Sequence, residues 1–297
     1  MITIPPLRIV LSGGGIRSIA HTGALKKLEE AGMLIAVKEY IGTSAGALMA
    51  FAVTIGYTIS SLADLCEKLD FGSIRTLEPE DFLSFFDSYG MDTGANLQRL
   101  LESLLKHRGL PATLTYKQLR ELRPNAPVLR IFATDLCTVL PREFSEKKTP
   151  NATLIISLLA SMCIPIYFVP VKDPETGHLL IDGGALHDLP LDFLSPDEQE
   201  TALGIAFSKD HMSVKTISSM YAYLQQIDAC ICLPRSLNTM NKNKDKIIII
   251  QCGEYPLWDF EAPLEAKKRM IKLGYEAAAS FLKGTRDPLV HRRYSVS

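Results

Sequence analysis

Leu7-RIVLSGGGIRSIAHTGALKKLEEAGMLIAVKEYIGTSAGALMAFAVT-Ile55 reads as two consecutive strand–helix units. Leu7 to Ser12 is a short apolar run that ends in three glycines, as a buried strand does. Ile16 to Ala31 then places Ile16, Ile19, Ala20, Gly23, Ala24 and Leu28 on one helical face, with Lys26, Lys27, Glu29 and Glu30 among the exposed positions. Gly32 occupies the place of a helix-ending glycine. Ala36 to Ile41 is a second strand, Gly42 to Gly46 a sharp turn, and Ala47 to Ile55 an apolar helix. Strand–helix–strand–helix order implies a mostly parallel sheet covered on both faces, a three-layer α/β/α architecture.

The remainder of the chain extends this pattern. Thr58 to Pro127 reads as a mostly helical insertion with turns at Gly72, Gly90 and Gly109. Val128 to Ala133 is a strand, with Pro141 to Phe144 pairing near it. Thr153 to Cys163 is an apolar helix closed by Pro165. Tyr167 to Val171 and Leu179 to Ile181 read as two strands joined by a turn at Asp173 to Gly177. Thr201 to Phe207 is a strand, Val214 to Cys230 a helix, Asn238 to Lys246 a polar loop, Ile247 to Ile250 a buried strand, and Glu261 to Leu282 a long amphipathic helix. Strands recur to about residue 252, so residues 1–284 are expected to form one domain. Residues 285–297 read as a basic, mobile tail.

Composition narrows the function. The 297 residues are 47% hydrophobic and 22% charged, with net charge −1. That balance offers no general attraction to nucleic acid or anionic membranes, so any lipid contact must come from a local patch. The start has no basic segment before its apolar run, unlike a secretion signal. The six cysteines form no C-x-x-C pair and read as reduced, mostly buried thiols. The uncharged runs Tyr40 to Ala63 and Thr153 to Val171 are interrupted by glycines and prolines, which fits core elements better than membrane spans. A cytoplasmic location with peripheral membrane contact is the expectation.

Gly42-Thr-Ser-Ala-Gly46 is a G-x-S-x-G motif between an apolar strand and an apolar helix. That is the setting of a nucleophile elbow, where flanking glycines let a strained turn close around Ser44. Ser12-Gly-Gly-Gly-Ile-Arg17 sits at an equivalent strand-to-helix turn. Its consecutive backbone N–H groups form an anion site, for a phosphate or an oxyanion. A dinucleotide reading has Ser18 where the third glycine belongs, and it leaves the second turn unexplained. Two glycine turns on adjacent parallel strands meet at one end of the sheet, which favours the oxyanion. A serine nucleophile also needs a base. One arrangement is Ser, then Asp182 or Asp188, then His211. The other is Asp182 itself, at a strand end and freed by the turn at Gly183 and Gly184.

With these motifs in order, the chain resembles the patatin-like phospholipases, most closely the compact bacterial type. Ser12 to Arg17 is similar to that family's glycine-rich loop, Gly42 to Gly46 to its elbow, and Leu180 to Pro190 to its D-G-G block. Ala20 to Leu25, Leu28 to Gly32, Ala133 to Leu136, Ala160 to Val171 and Ile271 to Ala278 also run as they do there. The resemblance implies hydrolysis of acyl esters in phospholipids or neutral lipids by a Ser-Asp dyad, with no cofactor and no metal. Ser44 would be the nucleophile, Asp182 the base, and the glycine loop at Gly13, Gly14 and Gly15 the oxyanion hole. Arg17 would orient that loop or contact anionic head groups. The implied partners are a lipid substrate and a transient lipid interface. Ser18, Cys163 and the pair His187-Asp188 depart from the family pattern. Two other function classes stand beside this reading: a catalytically silent lipid-binding scaffold on the same fold, and a nucleotide-binding enzyme using the glycine turn.

Overall fold

The computed structural model describes residues 4–74, 81–209, 216–217, 220–253, 255 and 261–285. The first half runs β1 (Arg8–Leu11), α1 (Ile19–Glu30), β2 (Glu39–Thr43), α2 (Ala45–Thr54), α3 (Ile59–Lys68), α4 (Asp81–Ser88), β3 (Gly90–Asp92), α5 (Ala95–His107) and α6 (Tyr116–Leu122). It continues with β4 (Val128–Asp135), β5 (Leu140–Ser145), α7 (Leu154–Ser161), β6 (Ile166–Phe168), β7 (Val171–Lys172) and β8 (Leu179–Asp182). The last part holds α8 (Pro196–Glu200), β9 (Ala202–Phe207), α9 (Met220–Lys242), β10 (Ile247–Ile250) and α10 (Leu264–Leu282).

The main sheet has the order β10-β9-β1-β2-β4-β8-β7, with β5 also paired to β4. Strands β10, β9, β1, β2 and β4 are mutually parallel, whereas β8, β7 and β5 run antiparallel to their neighbours. Parallel strands buried on both faces need apolar residues at successive positions, which is why they read as continuous hydrophobic runs. Their side chains alternate between two cores. Ile9, Leu11, Leu203, Ile205 and Phe207 enter a large cluster shared with α1, α2, α5, α7 and α10. Val10, Ile41, Phe132, Ala202 and Ala206 enter a smaller one with Leu189, Leu191, Leu194 and Met240. On the larger side, α10 crosses α1 at backbone contact. A Cβ on Gly23 would lie 1.8 Å from the Ile271 carbonyl oxygen, and one on Gly274 would lie 1.9 Å from that of Ala20.

The architecture is the mixed α/β arrangement with a mostly parallel central sheet that the two strand–helix units imply. Several boundaries differ. Strand β2 continues through Thr43, so the turn narrows to Ser44 and α2 begins at Ala45. The helical insertion contains a strand, β3, which pairs with β6. The run Tyr167 to Val171 is two strands: Pro170 lacks the N–H a ladder needs, so β6 joins β3 while β7 joins β8. The polar loop expected at Asn238 to Lys246 is instead helical as far as Lys242, with Pro234 inside α9. Ser236, Thr239 and Met240 are buried there, so tertiary packing prevails over polar composition. The N-terminal part of the expected helix Val214 to Cys230 lies largely outside the described residues, as do His211 and nearly all of the tail. Cys66, Cys163 and Cys252 are buried, but Cys137 and Cys230 are exposed. Among the described residues no helix is long and apolar enough to cross a membrane.

Candidate active site

Strand register brings the motifs together. Leu11 of β1 pairs with Gly42 of β2, so the glycine loop and Ser44 leave the sheet side by side. Thr43 pairs with Phe132 of β4, and the next β4 residue, Ala133, pairs with Asp182 at the end of antiparallel β8. Ser44 and Asp182 thus flank the same residue from opposite sides. The Ser44 hydroxyl donates to Asp182 Oδ2 at 2.6 Å.

Ser44 has φ 54 and ψ −131, a conformation costly for a side chain with a Cβ. The surrounding atoms enforce it. Gly46 abuts β1 so closely that a Cβ there would lie 2.4 Å from the carbonyl oxygens of Leu11 and Ser12. A Cβ on Gly42 would lie 2.6 Å from the Ala47 backbone. The Ser44 N–H donates to Ser161 Oγ at 2.9 Å, and the Ser161 hydroxyl donates to the Phe132 carbonyl at 2.6 Å. Ser161, at the end of α7, therefore ties the elbow to β4. Nothing in the local sequence distinguishes it from the other serine of that helix.

Asp182 is buried and held at several points. Its Oδ1 accepts the Gly184 N–H at 2.7 Å, so the turn after the aspartate aims the carboxylate while Oδ2 meets Ser44. Its own N–H donates to the Cys163 carbonyl at 2.8 Å, and its carbonyl accepts the Thr134 hydroxyl at 3.0 Å. Gly183 packs against the Phe132 carbonyl, where a Cβ would lie at 2.3 Å.

The glycine loop lies against Ser44: a Cβ on Gly13 would stand 3.1 Å from Ser44 Cβ. Its three amides are not equivalent. Gly13 N–H donates to the Asp188 carbonyl at 2.8 Å, so it is spent on structure and the expected three-donor set is corrected. Gly14 and Gly15 follow it at the start of a 3₁₀ turn and are half-buried. The first N–H groups of a helical turn have no intrahelical acceptor.

Of the two roles expected for Arg17, its geometry is compatible with orienting the loop and speaks against contacting a head group. Arg17 is only 6% exposed. Its Nε donates to the Tyr255 carbonyl at 2.6 Å and its Nη2 to that of Gly253 at 3.4 Å. Arg17 therefore fastens the glycine loop to the segment after β10, and no accessible guanidinium is offered to a head group. Burial lowers its pKa.

His187-Asp188 finds its own partners. The Asp188 carboxylate takes Lys209 Nζ through Oδ2 and the Ser236 hydroxyl at 2.6 Å through Oδ1. Burial pushes this carboxyl up, but Lys209 and Ser236 outweigh burial and hold it below the ordinary carboxylate range. An acceptor-only side chain is satisfied here because both neighbours donate. The network fixes the Asp188 carbonyl that anchors Gly13.

His21 lies beneath the loop, fully buried. Its Nε2–H donates to the Ser12 carbonyl at 2.9 Å, an oxygen that can only accept, and the ring centroid is 4.8 Å from that of Phe207. Nδ1 has no partner, so a second proton would be buried without an acceptor. Burial pushes its pKa down to about 4. In the unfolded chain the value is about 6.5, so the unfolded state takes the proton first as pH falls. Stability is complete above pH 6.5 and falls by roughly 3 kcal/mol as pH drops toward 4. Urea midpoints measured between pH 7 and 4.5 should fall for the wild type and less steeply for His21→Gln; equal slopes would assign the loss to other groups.

Among the described histidines, none bonds to Ser44 or Asp182. His107 meets Tyr57, His178 meets Asp135, and His187 packs on Phe193.

A family model described as patatin-like phospholipase matches residues 9–195. The match covers more than half of the chain and contains both Ser44 and Asp182, and the chain belongs to this family. YqhO, an uncharacterized protein of Bacillus subtilis, is 24% identical over 294 residues, covering 92% of this chain and 97% of the relative. The probable lipid hydrolase 463L of Invertebrate iridescent virus 6 is 26% identical over 186 residues, 62% of this chain and 61% of the relative. The fold is also that of VipD from Legionella pneumophila, with TM-score 0.61 at 19% identity, covering 95% of this chain and 67% of that one.

Proposed function

We propose that the protein is a serine acyl-ester hydrolase of lipids, acting through a Ser44–Asp182 dyad without histidine. The observation that carries this reading is the 2.6 Å bond from the Ser44 hydroxyl to Asp182 Oδ2 on a strained elbow. Family membership supports the substrate class, a lipid ester. Ser44 Oγ attacks the acyl carbonyl as its proton passes to Asp182. The tetrahedral oxyanion rests on the Gly14 and Gly15 amides, fixed dipoles that need no reorganisation as charge develops. Asp182 returns the proton to the leaving alkoxide, and the acyl group stays on Ser44. A water, deprotonated by Asp182, then releases the fatty acid.

Contact with the lipid surface belongs to the same proposal. Phe86 on α4 is 83% exposed and meets Phe85 edge to face at 5.5 Å. A large exposed aromatic on a chain of near-zero net charge suits shallow insertion between lipids. The test is fatty-acid release from phospholipid supplied below and above the concentration at which it aggregates. Wild type should accelerate on aggregated lipid, and Phe86→Asp should lose most of that acceleration while cleaving monomeric ester normally. Absence of any release from phospholipid or neutral lipid would overturn the substrate class; equal acceleration in both proteins would remove Phe86 from the interface.

A further inference from the structure

Asp135, Cys137 and His178 stand together where β4 and β8 begin to part, and the proposed reaction uses none of them. Asp135 ends β4, Cys137 lies in the turn toward β5, and His178 immediately precedes β8. One carboxylate oxygen, the thiol sulfur and one imidazole nitrogen all lie within 4.8 Å of one another. We propose that these three side chains form a binding site for a zinc-class divalent cation, completed by water.

The donor set selects the ion. Magnesium and calcium take oxygen ligands, whereas a thiolate, an imidazole and a carboxylate together suit zinc and its chemical neighbours. Tetrahedral zinc holds sulfur at about 2.3 Å and nitrogen or oxygen at about 2.0 Å, which sets its ligands roughly 3.3–3.7 Å apart. His178 Nδ1 is 2.8 Å from Asp135 Oδ2, so this pair opens slightly as the ion enters. Asp135 Oδ1 is occupied by the N–H groups of Cys137 at 2.8 Å and Thr138 at 3.2 Å. Those bonds turn Oδ2 toward His178 and keep the Cys137 backbone close.

Access and charge also fit. Asp135 is buried, whereas Cys137 is exposed and the His178 side chain is 36% exposed. An ion therefore meets one anchored ligand and two that solvent reaches, with the outer position left for water. On binding, the Cys137 thiol releases its proton to solvent as the sulfur–metal bond forms. In the metal-free pair His178 Nδ1–H donates to Asp135 Oδ2; as the ion enters, the imidazole gives that proton to solvent and takes one on Nε2, which frees the Nδ1 lone pair for the metal. A thiolate and a carboxylate then balance a 2+ charge. An Asp–His pair alone would need no cysteine beside it. The site lies on the strands that place Asp182, because Asp135 pairs with Leu180 and Ala133 with Asp182. An occupied site clamps this pair of strands.

Cobalt titration of the full chain is the test, since a cobalt–thiolate bond gives a charge-transfer band in the near ultraviolet. We expect one cobalt per chain, displaced by one equivalent of zinc. Zinc at about one hundred times its Kd should raise Tm by roughly 5 °C. Cys137→Ser should abolish the band, and His178→Ala should weaken binding at least about tenfold. Ser44→Ala and Cys230→Ser should bind as wild type does. Cys137 is exposed, so its serine variant retains the fold and remains informative. No stoichiometric cobalt binding, or a band that survives Cys137→Ser, would overturn the site. Neither outcome bears on the dyad, which Ser44→Ala tests by turnover.

Discussion

Ser44→Ala should lower kcat toward lipid esters by about 10⁴-fold or more while leaving KM within a few-fold. The alanine removes only Oγ. Its backbone N–H still reaches Ser161, and Gly42 and Gly46 still close the turn, so the elbow keeps its shape. The same geometry makes a stability prediction that a bland small-residue turn does not. Ser44 is held at φ 54, in a conformation whose strain is of order 1–3 kcal/mol for a residue with a Cβ. Ser44→Gly should therefore raise the unfolding free energy by about 1 kcal/mol while also abolishing turnover. Stability sacrificed to aim a hydroxyl is the signature of a site under functional constraint. A folded Ser44→Ala protein with wild-type turnover would remove Ser44 from the chemistry.

Asp182→Asn should reduce kcat by about 10³- to 10⁴-fold, again with little change in KM. A carboxylate serves two donors here, the Ser44 hydroxyl through Oδ2 and the Gly184 N–H through Oδ1. An asparagine has one acceptor oxygen, so it satisfies one of them and faces the other with an N–H₂ group. It also cannot take a proton in the working pH range. An aspartate with the reference pKa of about 3.9 is a weaker base than histidine but is almost wholly ionised at pH 7. Its 2.6 Å bond to the Ser44 hydroxyl sets it for proton transfer, and in the proposed reaction the Gly14 and Gly15 amides would offset its low basicity. His187→Asn and His211→Gln should keep substantial activity. Full loss in His211→Gln with mild loss in Asp182→Asn would replace the dyad with a Ser-His arrangement.

What the sequence discloses divides by range. The two glycine motifs are legible because each is a local event: an apolar strand, a turn of small residues and a helix contiguous in the chain, from Arg8 to Glu30 and from Glu39 to Thr54. Asp182 is legible in part, since the D-G-G turn is local but its arrival at Ser44 depends on β8 pairing antiparallel with β4. Ser161 is not legible. Its hydroxyl matters only because α7 ends against an elbow 117 positions away. Asp188 stands out in sequence as an acid, but its hold on Gly13 does not, because what holds Gly13 is its carbonyl, which every residue possesses. Arg17 is legible in part: its place after the glycines suggests either a loop-orienting or a head-group role, and the long-range capture by two main-chain carbonyls after β10, which separates the two, has no local signal. The Asp135, Cys137 and His178 cluster stayed hidden because its third member is 41 residues from its second and joins it only through strand register.

If Ser44 is a nucleophile activated by Asp182, it reacts covalently with an electrophile that mimics an ester. The full-length protein is incubated at pH 7 with an alkyl fluorophosphonate, which reacts with an activated serine oxygen and loses fluoride. The labelled chain is then digested and the modified residue read by mass spectrometry. One adduct per chain is expected, on Ser44, formed rapidly in wild type, absent in Ser44→Ala and slowed by orders of magnitude in Asp182→Asn. An unlabelled Ser44 in folded wild-type protein, or an adduct that forms equally fast in Asp182→Asn, would contradict the dyad.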